Sequence, residues 1–276
     1  VLSRHMSEAS SKPWKFHTPS GTSREEAKKF LEIAEAASPV ESKTIVDKGY
    51  LRIVGALLYA ACMTMPDIMF HVSHLARFMH SPSTAAYEAV LGVLQYAYHR
   101  RHLGLTYGGT KRYYTHLQED RAFTPVVHAD ASFGGRNSYP FGGGFIDWRN
   151  AAVAWQARRM KFVPLSTCEA EVAAMVAMCK EAIFVRAILT DMHAGIKSPM
   201  PVITDSKSAA DIVKNPGVTK HTAHFERWLH FARSLYLKNH IVVYLEKTDD
   251  MMADDKTKVV ERAKALKCRA FQLNCA

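Results

Sequence analysis

The chain has 276 residues, a net charge of +10 with histidines neutral, and 48% hydrophobic and 22% charged residues. That length suits one sizeable domain with an appendage or two small ones, and the composition is ordinary for a soluble globular protein. The basic balance favours a polyanionic partner through counterion release, and no apolar run approaches the roughly 18 residues that a membrane span needs.

Residues 1–48 are polar and mixed, with Pro13, Pro19 and Pro39 and one short helical stretch from Arg24 to Ala37. They read as a poorly structured lead-in. The start, Val1-Leu2-Ser3, has neither an initiator Met nor a signal-peptide pattern and reads as cut from a longer polypeptide. From Tyr50 to Tyr107 the pattern is helical. LRIVGALLYAACM is strongly apolar; after Pro66, Ile68, Val72, Leu75 and Met79 recur at helical spacing; and Thr84 to Tyr98 forms a third helix before the basic cluster His99 to His102. Residues 49–118 are therefore expected to be a small helical subdomain.

Residues 119–276 read as a mixed α/β domain. Val126 to Phe133, Gly142 to Trp148 and Ala151 to Phe162 are strands, with Arg149-Asn150 as the hairpin turn between the last two. A long helix spans Thr167 to Met192. Then come a strand at Pro201 to Thr204, helices at Ser206 to Lys214 and Thr222 to Lys238, a strand at Ile241 to Glu246, and a final helix from near Ala253. Three strands, helix, strand, helix, strand, helix is the element order of the RNase H fold, a mixed five-stranded sheet flanked by helices.

Four strings place a carboxylate at a strand end or helix start: VVHADASF with Asp130, LSTCEAEV with Glu169 and Glu171, VITDSKSA with Asp205, and MMADDKTK with Asp254. Each alone has an ordinary explanation: a turn at Asp130, an N-cap at Asp205, acids before a basic helix at Asp254 and Asp255. Gathered together they would repel unless a divalent cation lay among them. Hard oxygen ligands suit Mg²⁺, and a pair of such ions suits phosphodiester cleavage, so the chain reads as a metal-dependent nuclease. Glu169 and Glu171 lie about 200° apart on a helix, so one of them faces the sheet. Glu171 shares its side with Met175, Met178, Ala182 and Leu189, which favours it; Glu169 is the alternative.

Other groups carry less. His221, His224 and His230 have helical spacing, but no nearby Cys or carboxylate completes a zinc site. Gly142-Gly143-Gly144 lacks the lysine and helix of a phosphate loop and reads as a strand edge or a close backbone approach. Arg158, Arg159 and Lys161 beside Trp155 are candidates for tracking a nucleic-acid backbone, or else a solvated strand face. Five cysteines without close pairing read as reduced thiols of a cytosolic or nuclear protein.

Together the strings resemble the C-terminal reverse transcriptase connection segment and RNase H domain of Pol polyproteins from copia-type LTR retrotransposons, over roughly Tyr50 to Lys258. YLRIVGALLYAACMTMPDIMFHVSHLARFMHSP and VLQYAYHRRHLGLTY resemble the segment that follows the polymerase palm. VVHADASF, AWQARRMKFVPLSTCEAEV, VITDSKSAADIVKNP, TAHFERWLHFAR and MADDKTK then follow in family order. The resemblance implies catalytic and metal-binding roles for Asp130, Glu171 (or Glu169), Asp205 and Asp254. It also implies two Mg²⁺ ions with Mn²⁺ as a substitute, an RNA–DNA hybrid as substrate, the polymerase portion of Pol as a partner, and a virus-like particle as setting. Glu171 with Ala174 fits the family's acid followed by a small residue better than Glu169 with Val172.

The chain departs from the family at Ser132 and Phe133, at Met65, at Ala223, across Asn137 to Gly142, and at Asp255, which replaces an apolar residue. No Tyr-Val-Asp-Asp-like string occurs, so no polymerase activity is expected. The rival reading is an inactive retrotransposon remnant that binds nucleic acid or a protein partner.

Overall fold

The computed structural model describes residues 18–21, 23–108, 124–133, 140–196, 199–215 and 225–275. Two compact units emerge: residues 1–104 with 259–269, and residues 105–258 with 270–276.

The first unit is helical. Helix α1 (Arg24–Leu31) opens on a capping box, with Ser23 and Glu26 each satisfying the other's backbone amide. Helix α2 (Pro39–Asp47) starts at a Ser38 N-cap with Pro39 in its first turn. Phe30 and Ile45 from these helices are buried. Within residues 1–48, expected to form a poorly structured lead-in, residues 24–31 and 39–47 are capped helices, because the caps satisfy amides that short polar helices otherwise leave open. The single helix expected over Arg24 to Ala37 ends at Leu31. Helix α3 (Tyr50–Met63), a short 3₁₀ turn (Pro66–Ile68), α4 (Met69–Ala76) and α5 (Thr84–Arg100) complete the series. Their apolar faces bury Ile53, Val54, Leu57, Phe70, Leu75 and Val90, and the Tyr50 hydroxyl donates to Leu75 O at 2.8 Å. Asp67, buried, accepts from the Tyr96 hydroxyl at 2.6 Å, and Arg269 donates to the same hydroxyl at 3.1 Å.

The second unit is built on five strands: β1 (Val126–Ala131), β2 (Phe141–Trp148), β3 (Ala151–Arg159), β4 (Met200–Thr204) and β5 (Ile241–Leu245). Their order is β3-β2-β1-β4-β5. The first three form an antiparallel meander; β4 and β5 run parallel to β1. The β2–β3 hairpin turns at Arg149 and Asn150, both with positive φ (52° and 73°), as a two-residue turn between right-twisted strands requires. Helices α6 (Thr167–Asp191), α7 (Lys207–Lys214) and α8 (Glu226–Leu237) share one apolar core with the sheet: Val127 and Ala129 meet Val172, Met175, Val213 and Leu229. On the other face His128 stacks on Phe145 at 4.4 Å, and Phe271 meets the His128 ring edge-on at 5.4 Å. This is the expected RNase H-like architecture.

Two details differ from expectation. Helix α9 begins at Arg262, not near Ala253; residues 254–256 form a 3₁₀ turn instead. Asp255 therefore does not serve a helix N-terminus. Its carboxylate pairs with Lys256 Nζ at 2.7 Å, and Gln272 bonds both groups, at 2.9 Å to Asp255 and 2.6 Å from Lys256. This polar cluster is buried. Meanwhile Gly142 to Gly144 lie in β2, which is paired on both sides and so is no sheet edge. The other expectation for these glycines is met: a Cβ on Gly144 would sit 1.9 Å from His128 O, and one on Gly143 2.4 Å from Gln156 O.

Candidate metal centre

Strand alternation sends Val127 and Ala129 toward α6 and His128 and Asp130 to the opposite face. Asp130 sits near the C-terminal end of β1, opposite Gly143 of β2, and is 1% exposed. The β1–β4 register pairs Val127 with Val202 and His128 with Ile203. Continued two residues further, past the end of β4, that register would bring Asp205 level with Asp130. Ser206, rather than Asp205, caps α7 by accepting from the Ala209 amide, so the helix makes no use of the Asp205 carboxylate.

Glu171 completes the group. One carboxylate oxygen each from Asp130, Glu171 and Asp205 lie within 4.8 Å of one another. The structure separates the two glutamates. Ser166 caps α6 by accepting from the Glu169 amide at 3.1 Å, and the Glu169 side chain reaches back to accept from the Leu165 amide at 2.6 Å. Ala174, one turn beyond Glu171, is buried against β2, where a Cβ on Gly142 would meet the Ala174 Cβ at 3.3 Å. A small residue there lets α6 approach the sheet closely enough for Glu171 to reach Asp130.

Asp254 is buried nearby but is not one of the three. Its Oδ1 lies 2.8 Å from Lys258 Nζ, which is also 3.9 Å from Asp130 Oδ2. The Thr257 hydroxyl donates to Asp130 Oδ2. Burial pushes the Asp130 carboxyl up; Lys258 and Thr257 oppose this, while Asp254 and Asp205 add to it. Burial likewise raises Glu171, reinforced by Asp130 and Asp205. Burial acts against the Lys258 charge, and Asp130, Asp254 and Asp205 overcome it, so the ammonium is held above its ordinary range. Such mutual repulsion is what a divalent ion relieves. The residues fit one: three oxygen donors converge, and Glu171 Oε2 is buried with no hydrogen-bond partner among the described residues.

In the sequence, Thr257 and Lys258 carry only the family resemblance. No local signal assigns them to Asp130, because their partner lies on a distant strand. Arg158, Arg159 and Lys161 are all exposed. Arg158 and Arg159 line a groove of about 300 Å³ with Gly142, Phe162, Lys180 and Trp228; Lys161 does not. Of the three histidines, His221 and His224 lie outside the described residues, and His230 lies 3.2 Å from Glu226.

A five-stranded mixed sheet of this order, with acids converging from β1, the following helix and the end of β4, defines an RNase H-like domain. In sequence the chain is similar to retrovirus-related Pol polyproteins from transposons. It is 30% identical over 232 residues to the Pol polyprotein from transposon TNT 1-94 of Nicotiana tabacum, covering 82% of this chain and 17% of that protein. It is 26% identical over 215 residues to the one from transposon RE1 of Arabidopsis thaliana, covering 77% and 14%. The chain thus spans well under a fifth of the length of these relatives. No family model matches. Among solved structures, it is similar to the N-terminal RNase H domain of a Mycobacterium tuberculosis protein solved as a maltose-binding protein fusion (TM-score 0.40, 16% identity, 52% of this chain, 96% of that one). It is also similar to a foamy viral protease–reverse transcriptase in complex with double-stranded DNA (TM-score 0.42, 13% identity, 77% and 35%).

Proposed function

We propose that this chain is the ribonuclease H portion of a retrotransposon Pol polyprotein, a metal-dependent endonuclease that cuts the RNA strand of RNA–DNA hybrids. The observation that carries it is the convergence of Asp130, Glu171 and Asp205 within 4.8 Å from three separate elements. Those three, with Asp254 beside them, would hold Mg²⁺ as two ions, with Mn²⁺ as a substitute. Bound there, Mg²⁺ would supply Lewis-acid stabilisation and an acidified water. The chain's own contribution is positioning: β1 and the loop just past β4 each present a carboxylate, α6 brings the third to them, and the 3₁₀ turn fixes Thr257 against Asp130. Buried, raised carboxyls make the site a strong sink for a cation once they ionise.

The net charge of +10 supports a nucleic-acid substrate. Arg158 and Arg159, at the end of edge strand β3, are proposed backbone contacts, with Lys161 beside them. Preference for a hybrid would rest on contacts to 2′-hydroxyls of the RNA strand. The test is cleavage of a labelled RNA–DNA hybrid in Mg²⁺ by the whole chain, beside Asp130→Asn and a duplex-DNA control. Hybrid-specific cutting that Asp130→Asn abolishes supports the reading. Folded protein that cuts nothing in Mg²⁺ or Mn²⁺ overturns it and favours the inactive, binding remnant.

A further inference from the structure

Among the described residues, Lys258 sets its ammonium between two of the acids. Its ammonium is 2.8 Å from Asp254 Oδ1 and 3.9 Å from Asp130 Oδ2, both on buried residues. The backbone fixes the lever: the amides of Thr257 and Lys258 donate to Asp254 O at 3.2 and 3.1 Å, and the Thr257 hydroxyl anchors the turn to Asp130. The Lys258 side chain is 42% exposed, unlike the two acids it pairs with. Asp254, which it holds, is the expected ligand that does not join the other three.

We propose that Lys258 is a tethered counter-cation of the acidic site: it takes up the charge of Asp254 and Asp130 in the metal-free protein, and a divalent ion binds only by displacing its ammonium. The inference rests on reading the acidic group as a metal site. Its physical basis is competition. A carboxylate oxygen engaged by an ammonium at 2.8 Å is not open to a second cation, and two cations at that spacing repel in a partly buried site. The Lys258 ammonium thereby offsets the repulsion among the carboxylates when no metal is bound, at the expense of metal affinity. Because displacement and binding are linked, whatever Lys258 contributes to the metal-free form is subtracted from metal binding.

The experiment is a titration of the whole chain with Mg²⁺, and separately Mn²⁺, followed by thermal unfolding and by calorimetry, for the parent, Lys258→Met, Lys258→Gln and Lys258→Arg. Without metal, Met and Gln at this position lower the melting temperature, because the acids lose their counter-charge. With metal, the concentration at half-saturation falls by about tenfold, within the usual range for coupled sites. Lys258→Arg stays close to the parent. A neutral variant that needs as much metal as the parent, or more, overturns the proposal and leaves the metal site standing. A folded parent that responds to neither ion overturns both.

Discussion

The Thr257 hydroxyl donates to the carboxylate of Asp130, a residue 127 positions earlier in the chain. This bond ties the 3₁₀ turn at residues 254–256 to the end of β1. Thr257 is 2% exposed, so the bond is made away from water. Replacing it by Val keeps the shape but strips a buried carboxylate of a donor, which costs about 1–3 kcal/mol. Urea unfolding of Thr257→Val should show that loss, while Thr257→Ser stays near the parent.

The two glutamates should separate cleanly. Glu171→Gln removes one of the three converging carboxylates and a buried charge that its surroundings disfavour. Its metal-free melting temperature should match or exceed the parent's, and its Mg²⁺-dependent stabilisation should disappear. Glu169→Ala should do the reverse. Loss of the carboxylate that accepts from the Leu165 amide costs roughly 1 kcal/mol, and the metal response survives. Thermal unfolding with and without Mg²⁺ reads both.

Metal affinity should rise with pH well beyond the range of ordinary carboxylates. Burial first, then the neighbouring acids, raises Asp130 and Glu171, so protons compete with the metal until those carboxyls ionise. The sign for the metal-free protein follows. Above the unfolded carboxyl pKa the unfolded chain gives up its protons first and the folded chain retains them, so stability falls as pH rises toward the raised values. Half-saturating Mg²⁺ measured from about pH 6 to pH 9 should drop steadily; a flat profile would contradict the burial of these groups.

The helical unit should fail in acid. Burial lowers His74 to about 4, with Arg77 adding to the effect, in a pocket where its ring lies 5.0 Å from that of Phe30 and 6.2 Å from that of Phe70. An unfolded His74 takes its proton near 6.5, whereas the folded one refuses it until about 4. Stability is therefore present above 6.5 and is lost as pH falls through that window. His74→Phe should flatten the loss in a pH series of unfolding midpoints.

Gly144→Ala should abolish folding of the sheet unit. The new methyl would lie 1.9 Å from His128 O, a backbone atom that cannot move without breaking the β1–β2 pairing. Far-ultraviolet circular dichroism and protease resistance would register the outcome. A stable, folded variant would contradict the register of β2.

Much of this architecture is written in short-range patterns. Strand alternation, the Arg149-Asn150 turn and the long run from Thr167 are encoded within a few residues of themselves, and the structure forms them close to where the sequence places them. Between Arg24 and Asp47 the sequence marks one helical stretch where two short helices form, because their ends are set by Ser23, Glu26, Ser38 and Pro39 rather than by a change in hydrophobic period. The supposed helix near Ala253 failed for the opposite reason: two acids before a basic run imitate a helix start, yet Asp255 turns inward to Lys256 and Gln272.

The sequence by itself determined which residue types could form the site and the order in which the chain delivers them. Acids at strand ends and helix starts are local facts, and so is the separation of Glu169 from Glu171 around a helix. Only the tertiary structure decided that Asp205, just past β4, and Glu171 of α6 converge on Asp130 of β1, and that Thr257 and Lys258 reach Asp130 from far along the chain. The physical reason is range: propensity and capping act over about four residues, whereas carboxylate repulsion and its neutralisation depend on distances set by packing between elements far apart in the chain.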